Sequence, residues 1–384
     1  MAQRVGVIGF GQTYHKSRRE DVNGVELINE AVQAALEDSG LGIDDVDAII
    51  IGNMDHFESV NYVDTWSVDG TGGFMKPVMK LTTGGTTGST IGIGGYFTAA
   101  SGLFDVVAVV GWEKNSESDT TGAIITCSDP VFDRFSFAGA LPGLAVEASV
   151  YMKKYGVTEK DAARVAVRDR RHAMNNPYAQ LRKEITEEEV LESPMLSYPV
   201  KLLDICPRTD GAACVIFAGE RKAKKLSPNP AWVWASSIRH SYSYFEDIEY
   251  DTMPTLEAAC RELFSNVGIK EPLKELDVVE LYQPYTFAGL KWIESMGICK
   301  PGEAPQLVWD GVTDMGGELP FNPSGGVLAT NCIGATGLLR IGEAALQLQG
   351  RAGDRQVEGA EVALATGFGG AFWTDMMLLG KNPW

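Results

Sequence analysis

From Glu30 the chain reads EAVQAALEDSGLGIDDVDAIIIG, in which apolar residues at helical spacing stop at Gly40 and an acidic link leads into a β-branched run. The same order returns from Glu257 as EAACRELFSNVGIKEPLKELDVVELYQ. Gly268 matches Gly40, and Asp277-Val278-Val279 matches Asp47-Ala48-Ile49 after a two-residue insertion. A second pair, GSTIGIGGYFTAASGLFDVVAVVG from Gly88 and GLLRIGEAALQLQGRAGDRQVEGAEVALATG from Gly337, gives helix, glycine stop and buried strand in both cases. Each half opens on a strand-like segment, Arg4 to Gly9 and Ala231 to Ser236, the second after the linker SPNP. Two matches in one order identify a duplication. Helices alternating with strands predict an α/β fold with mostly parallel sheets and right-handed crossovers.

The halves are read as residues 1–226 and 227–384, with an excursion from the repeat at about 115–200. That excursion holds aromatic and Gly/Pro-rich stretches and the charged helices TEKDAARVAVRDRRHAM and TEEEVLES, and such insertions usually cover a site. The active site is therefore expected where the two copies meet.

Composition narrows the function. With 384 residues, 45% of them hydrophobic, the chain can bury the cores of two domain-sized units. No run approaches the ~20 apolar residues of a membrane helix. The start, MAQRVGVIGFGQ, lacks an apolar stretch with a cleavage site, so a cytoplasmic location is expected. Six cysteines without a CxxC pair argue for reduced thiols and against a zinc ribbon or disulfide framework, so no metal is expected in this chain. A net charge of −18 repels a phosphate backbone and excludes nucleic acid as a natural partner. GVIGFGQT is not GxGxxG, and its lone GxG is read as a tight strand exit rather than a dinucleotide loop.

More specific is NNPYAQLRKEITEEEVLESPMLSYPVKLLDICPRTDGAACVIFA, Asn175 to Ala218. It resembles sterol-carrier-type thiolases, where Asn-Pro-x-Ala-Gln, Pro-x-x-x-Leu-Asp and Asp-Gly-Ala-Ala occur in this order. GGTTGST before the first-half helix and NPSGGVLATNCIGATGLLRIGEAALQLQG from Asn322 resemble the same family, and the resemblance covers essentially the whole chain. It implies a thiolase fold, a duplicated five-layer αβαβα arrangement with two sheets flanking buried helices whose N-termini carry the chemistry. Helix N-termini suit thiolates and oxyanions because their N–H groups are unpaired and the dipole is positive there.

Against that family the reacting side chains are replaced. The position of the acyl-accepting cysteine is Gly85, the Gly-His-Pro loop reads Thr330-Asn331-Cys332, with Asn331 at the histidine position, and the strand-end His-Asp-x-Phe-Thr motif reads Tyr282-Gln283-Pro284-Tyr285-Thr286. The loop of the second acid/base cysteine reads Thr366-Gly367-Phe368-Gly369-Gly370. Asn331 and Tyr282 still donate hydrogen bonds, and Gly85, Gly369 and Gly370 bare backbone N–H groups, so oxyanion binding is expected to persist without a covalent nucleophile. The resemblance then implies retro-Claisen cleavage of a bulky 3-oxoacyl-CoA, such as 2-benzoylsuccinyl-CoA, with free coenzyme A as co-substrate and no permanent cofactor. Retro-aldol cleavage of a β-hydroxyacyl-CoA and a non-catalytic scaffold subunit are the alternatives. The branch implies a homodimer core and a small partner subunit with a zinc ribbon and an OB-fold.

Individual residues carry a bland reading beside the chemical one. His56, after the predicted strand AIIIG, is either a base or a loop histidine without a task. Cys332 is either a relocated nucleophile or a small buried apolar residue. Tyr282 is equally a catalytic phenol or a core aromatic. Arg168 and Arg171 are candidate contacts for a CoA phosphate or members of a solvated helix face, on which His172 also falls. Ser324 and Gly325, in the NPSGG turn, are further candidates for binding coenzyme A. Trp112 and Glu113 are read as structural.

Overall fold

The computed structural model describes residues 3–55, 62–241, 250–369 and 373–384. Its strands are β1 (Val5–Gln12), β2 (Ala48–Gly52), β3 (Val78–Lys80), β4 (Val106–Lys114), β5 (Met195–Ser197), β6 (Val200–Lys201), β7 (Asp210–Gly219), β8 (Ala231–His240), β9 (Val278–Glu280), β10 (Val362–Phe368) and β11 (Trp373–Gly380). Apart from the small β5-β6 pair, they form one sheet in the order β3-β2-β4-β7-β1-β8-β11-β10-β9. The duplication is visible in that order. Outward from the seam, β1-β7-β4-β2-β3 is matched by β8-β11-β10-β9, and the parallel bridge Val279↔Phe321 stands where a fifth strand would lie.

Two residue pairs, Gly6↔Trp232 and Val7↔Ala231, join the halves at the seam. The expected two sheets thus meet edge to edge. Their mostly parallel character is confined to the outer strands: β2 pairs parallel with β3 and β4, and β9 with β10, whereas β7 and β11 are antiparallel to their neighbours. The reason is connectivity. β11 follows β10 after a short return, and β7 comes back from the long excursion, so neither arrives through a crossover helix.

Alternation on the strands separates the layers. Val106, Ala108, Val110, Cys214 and Ile216 face the outer helix Gly24–Ser39, and Val107, Val109, Val215 and Phe217 face inward. The inward residues share one core with Ala363, Ala365, Met377 and Leu379 of the second half and with two buried helices, Thr87–Ala100 and Ile333–Gln349. Every residue of the second buried helix is buried. A side chain at Gly88 would lie 2.7 Å from the Gly337 nitrogen, and one at Gly337 would lie 2.3 Å from the Ser89 nitrogen. Bare glycines therefore let the two backbones touch, which brings both N-termini to one place.

The outer helix stops at Gly40, as its sequence predicts. Asn23 and Glu26 form a reciprocal capping box, and Gly40 closes the helix at φ 68°. The GxG of β1 is a correction: Gly9 and Gly11 lie within the strand rather than at a strand exit. A Cβ at Gly11 would fall 2.3 Å from the Ala35 nitrogen, so these glycines seat the outer helix against the sheet. Among the described residues, no helix is long and apolar enough to cross a membrane.

Candidate functional site

A cavity of about 500 Å³ opens where the copies meet, within the size range of small-molecule sites. The strand ends supply Tyr282, Phe368 and Gly369, the helix entries supply Thr83 to Gly85 and Asn331, and the excursion covers them with Cys127, Phe137 and Leu144. Its lining is mainly apolar, which suits a bulky acyl group.

Gly85 stands just before the first buried helix. A Cβ there would sit 2.6 Å from the Phe368 carbonyl oxygen and 3.2 Å from the Gly369 Cα. Backbone occupies the space that an acyl-accepting side chain would need, so the glycine is a steric requirement here. The N–H of Gly369 donates to the Trp373 carbonyl at 3.0 Å and is committed to the strand pair, contrary to its expected role as a free oxyanion donor. Gly370 and His56 lie outside the described residues.

Asn331 is fixed by five partners. Its side-chain oxygen accepts from Thr336 at 2.9 Å and from the Tyr282 hydroxyl at 3.3 Å, and its Nδ2 donates to the Cys206 Sγ at 3.1 Å. The Asn331 N–H donates to the Thr209 hydroxyl at 2.9 Å, and its carbonyl accepts from Asn115 at 3.2 Å. With Oδ1 doubly occupied, the amide keeps one N–H for a ligand. Tyr282 is held by its own N–H on the Thr366 hydroxyl, 2.8 Å. Burial raises its phenol well above the ordinary range, so it works as a neutral donor and not as a phenolate.

Cys206 is the member of this cluster that sequence reasoning missed. It lies in LLDICPRTDG between two motif fragments, and its thiol reaches the cavity beside Asn331. Burial lifts the thiol to about 11, against the pull of the Asn331 amide, so it stays protonated at neutral pH. A protonated thiol is not a ready nucleophile. Glu147 also lines the cavity, but it is neutralised by Lys291 at 2.5 Å and accepts from Tyr285 at 3.1 Å. His240 reaches the mouth of the cavity, its ring edge-on to Trp373 with centroids 4.6 Å apart.

Several expected site residues are elsewhere. Cys332 is fully buried behind the loop, 3.6 Å from His15 Nδ1, and burial drives its thiol far up, so it is the small apolar residue of the two readings. Arg168 is fully buried and spends its guanidinium on Asp169 and Thr313. His172 is 2% exposed, accepts from the Met315 N–H at Nε2 and faces two carbonyls at Nδ1, so it belongs to the core rather than to a solvated face. Only Arg171 points outward, and it pairs with Asp314 at 2.7 Å. Ser324 bonds Glu280 and Arg340 in a buried network, and Gly325 packs against Ala173 with φ +87°, so neither is open to a ligand. Glu113 ties the halves together by accepting from the N–H groups of Met54 and Gly334, at 3.1 and 3.0 Å.

A duplicated α/β chain whose two buried helices bring their N-termini to an apolar cavity is the architecture of thiolases. Residues 5–221 match the thiolase N-terminal domain and residues 238–381 the thiolase C-terminal domain-like family, and the chain belongs to the thiolase family. It is 34% identical to the acetyl-CoA acetyltransferase of Methanothermobacter thermautotrophicus over 95% of this chain and 96% of that one. Subunit BbsB of benzoylsuccinyl-CoA thiolase from Thauera aromatica is 32% identical, over 67% of each chain. Among solved structures, the Ltp2-ChsH2(DUF35) aldolase superposes with a TM-score of 0.85 at 26% identity, covering 99% of this chain and 98% of that one.

Proposed function

We propose that the protein cleaves a bulky 3-oxoacyl-CoA by direct attack of free coenzyme A on the ketone, without an acyl-cysteine. The observation that carries this is the backbone filling the side-chain space at Gly85, beside a cluster that still offers an oxyanion two donors. In the step, the coenzyme A sulfur bonds to the ketone carbon and the thiol loses its proton. The alkoxide is met by the spare N–H of Asn331 and by the Tyr282 hydroxyl turning from Asn331. Collapse breaks the carbon–carbon bond, and the electron pair leaves as a thioester enolate. The Cys206 thiol, held at 3.1 Å from Asn331, protonates the enolate carbon.

A branched or aromatic acyl group fits the apolar lining, and 2-benzoylsuccinyl-CoA is the substrate to test first, supported by the likeness to BbsB. Incubation with and without coenzyme A, followed by product analysis, should give two acyl-CoA products only when coenzyme A is added. The intact protein mass should stay unchanged when substrate is present alone, and an acyl adduct would overturn the reading.

Retro-aldol cleavage of a β-hydroxyacyl-CoA is the second reading, favoured by the likeness to the Ltp2-ChsH2(DUF35) aldolase. It requires no coenzyme A and releases an aldehyde or ketone. The raised phenol of Tyr282 weakens it, because a base must take the hydroxyl proton. If neither substrate turns over in any assembly, the scaffold reading stands.

A small zinc-ribbon and OB-fold partner and a homodimer core remain part of the proposal. The first is supported by the subunit naming of BbsB and the two-component name of the aldolase. Co-expression with a candidate small subunit and mass measurement of the complex test both.

A further inference from the structure

Beneath the Gly85 wall a chain of hydroxyls leads from the cavity to a buried acid. Thr83 lines the cavity, its Oγ1 lies 2.7 Å from the Thr90 Oγ1, and Thr90 donates to the Asp375 Oδ2 at 2.5 Å. Asp375 is fully buried on β11. It accepts also from Ser89 at 3.2 Å and from the Trp373 indole N–H at 3.1 Å. Its cross-strand neighbours are Gly367 on β10 and Ile238 on β8, and among the described residues no cation pairs with it. The titratable groups that line the cavity itself are Cys127, Glu147, Cys206, His240, Tyr250 and Tyr282.

The carboxylate sets the direction of this chain. Thr90 spends its proton on Asp375, so the hydrogen between the two threonines must come from Thr83. The Thr86 hydroxyl shares its proton between the Thr83 carbonyl at 2.9 Å and Thr83 Oγ1 at 3.1 Å, which leaves Thr83 Oγ1 at least one open lone pair. A threonine whose own proton points inward can receive only a donor from a ligand. A coenzyme A thiol is such a donor, and this step rests on the function proposed above.

We propose that Thr83 takes the proton of the attacking thiol and passes its own through Thr90 to Asp375, making the buried carboxylate the base of the reaction. Three O–H or S–H bonds break and three O–H bonds form in this relay: sulfur to Thr83, Thr83 to Thr90, Thr90 to Asp375. The sulfur keeps the electron pair that bonds to the ketone carbon. Cys206 ends one proton short and Asp375 one proton richer, so exchange through cavity water restores both. Thr83 is the catalytic residue of the set, and Thr90 and Asp375 act through it. Burial lifts the Asp375 carboxyl to about 6, partly offset by its hydroxyl and indole donors, so it is ionised and ready to accept at neutral pH.

The test uses the full chain, with its partner subunit if one is required, in two assays. Thiolysis of 2-benzoylsuccinyl-CoA is followed against pH, and ultraviolet thiolate absorbance is followed as coenzyme A alone is added. The wild type should show an acid limb in kcat/KM with a midpoint near 6, and bound coenzyme A should ionise more readily than free coenzyme A. Asp375→Asn and Thr90→Val should lower turnover by about 10²-fold or more, remove the acid limb and abolish the thiolate signal, with Thr90→Ser restoring most of each. An Asp375→Asn protein that folds and keeps both the acid limb and the thiolate signal overturns the relay while cleavage stands. If Asp375→Asn does not fold, Thr90→Val decides on the same readouts. A wild type that ionises coenzyme A through Asp375 yet cleaves no 3-oxoacyl-CoA sinks the proposed function and leaves the relay. One that does neither sinks both.

Discussion

The two helix entries that meet at the cavity come from the same repeated unit, yet they are furnished differently. The first-half entry, Thr82 to Thr90, is rich in hydroxyls around a bare Gly85, and its polar groups lead inward to Asp375. The second-half entry, Thr330 to Thr336, presents one amide, Asn331, clamped by Thr336, Tyr282 and Cys206. Duplication thus supplied two similar electrostatic environments, and divergence gave them different tasks. In the proposed mechanism the hydroxyl-rich entry moves protons, and the amide entry holds developing negative charge.

The comparison breaks most sharply at the amide. Asn331→Ala should reduce kcat by about 10²–10³-fold, the loss typical of removing an oxyanion donor, with a smaller change in KM. Steady-state kinetics on a protein whose melting curve remains cooperative checks this. An unchanged kcat would leave Asn331 a structural residue. Tyr282→Phe should cost less, about 10–10²-fold, because the amide N–H remains. A complete loss with Tyr282→Phe alone would turn the mechanism toward the phenol and the retro-aldol reading.

How much of this was legible in the sequence differs between the two regions. The repeat, the outer-helix stop at Gly40 and the pairing of Gly85 with Asn331 could be read along the chain, because each is a local pattern or a match between copies. Cys206 and Asp375 could not. Each reaches the site through packing between distant elements, and a cysteine or a strand aspartate has no local signal of that. The arginines and His172 misled for the opposite reason. Their helix, Glu159–Ala173, looks solvated by charge count, but the neighbouring helices and the Phe321 loop bury Arg168, Asp169, Arg170 and His172, and Arg168, Asp169 and His172 have internal hydrogen-bond partners.

Gly85 offers a sharper test of the first-half entry. Gly85→Cys should not restore an acyl-enzyme, because its Cβ meets the Phe368 carbonyl at 2.6 Å. The forced shift should destabilise the fold by about 1–3 kcal/mol, read as a lower denaturation midpoint. A stable Gly85→Cys protein that acquires an acyl mass adduct would show that the loop yields, and the steric argument would fail.

The smallest effect on turnover is expected behind the second-half loop, where His15 packs 3.6 Å from Cys332 and 3.2 Å from the Gln12 side-chain oxygen. Burial, helped by Arg340 and Arg19, depresses His15 to about 3 from an ordinary 6.5. The unfolded chain therefore binds a proton that the folded chain refuses between those values, so stability falls as pH drops below 6.5 and is unaffected above it. His172, lowered to about 4, adds a contribution of the same sign. Each group steepens the loss by at most about 1.4 kcal/mol per pH unit. In urea unfolding at pH 7 and pH 5, His15→Gln should lose less stability on acidification than the wild type, while kcat at pH 7 stays within about 2-fold. Equal losses in the two proteins would mean that His15 is hydrated in solution, and a large fall in kcat would move it from the back of the loop into the chemistry.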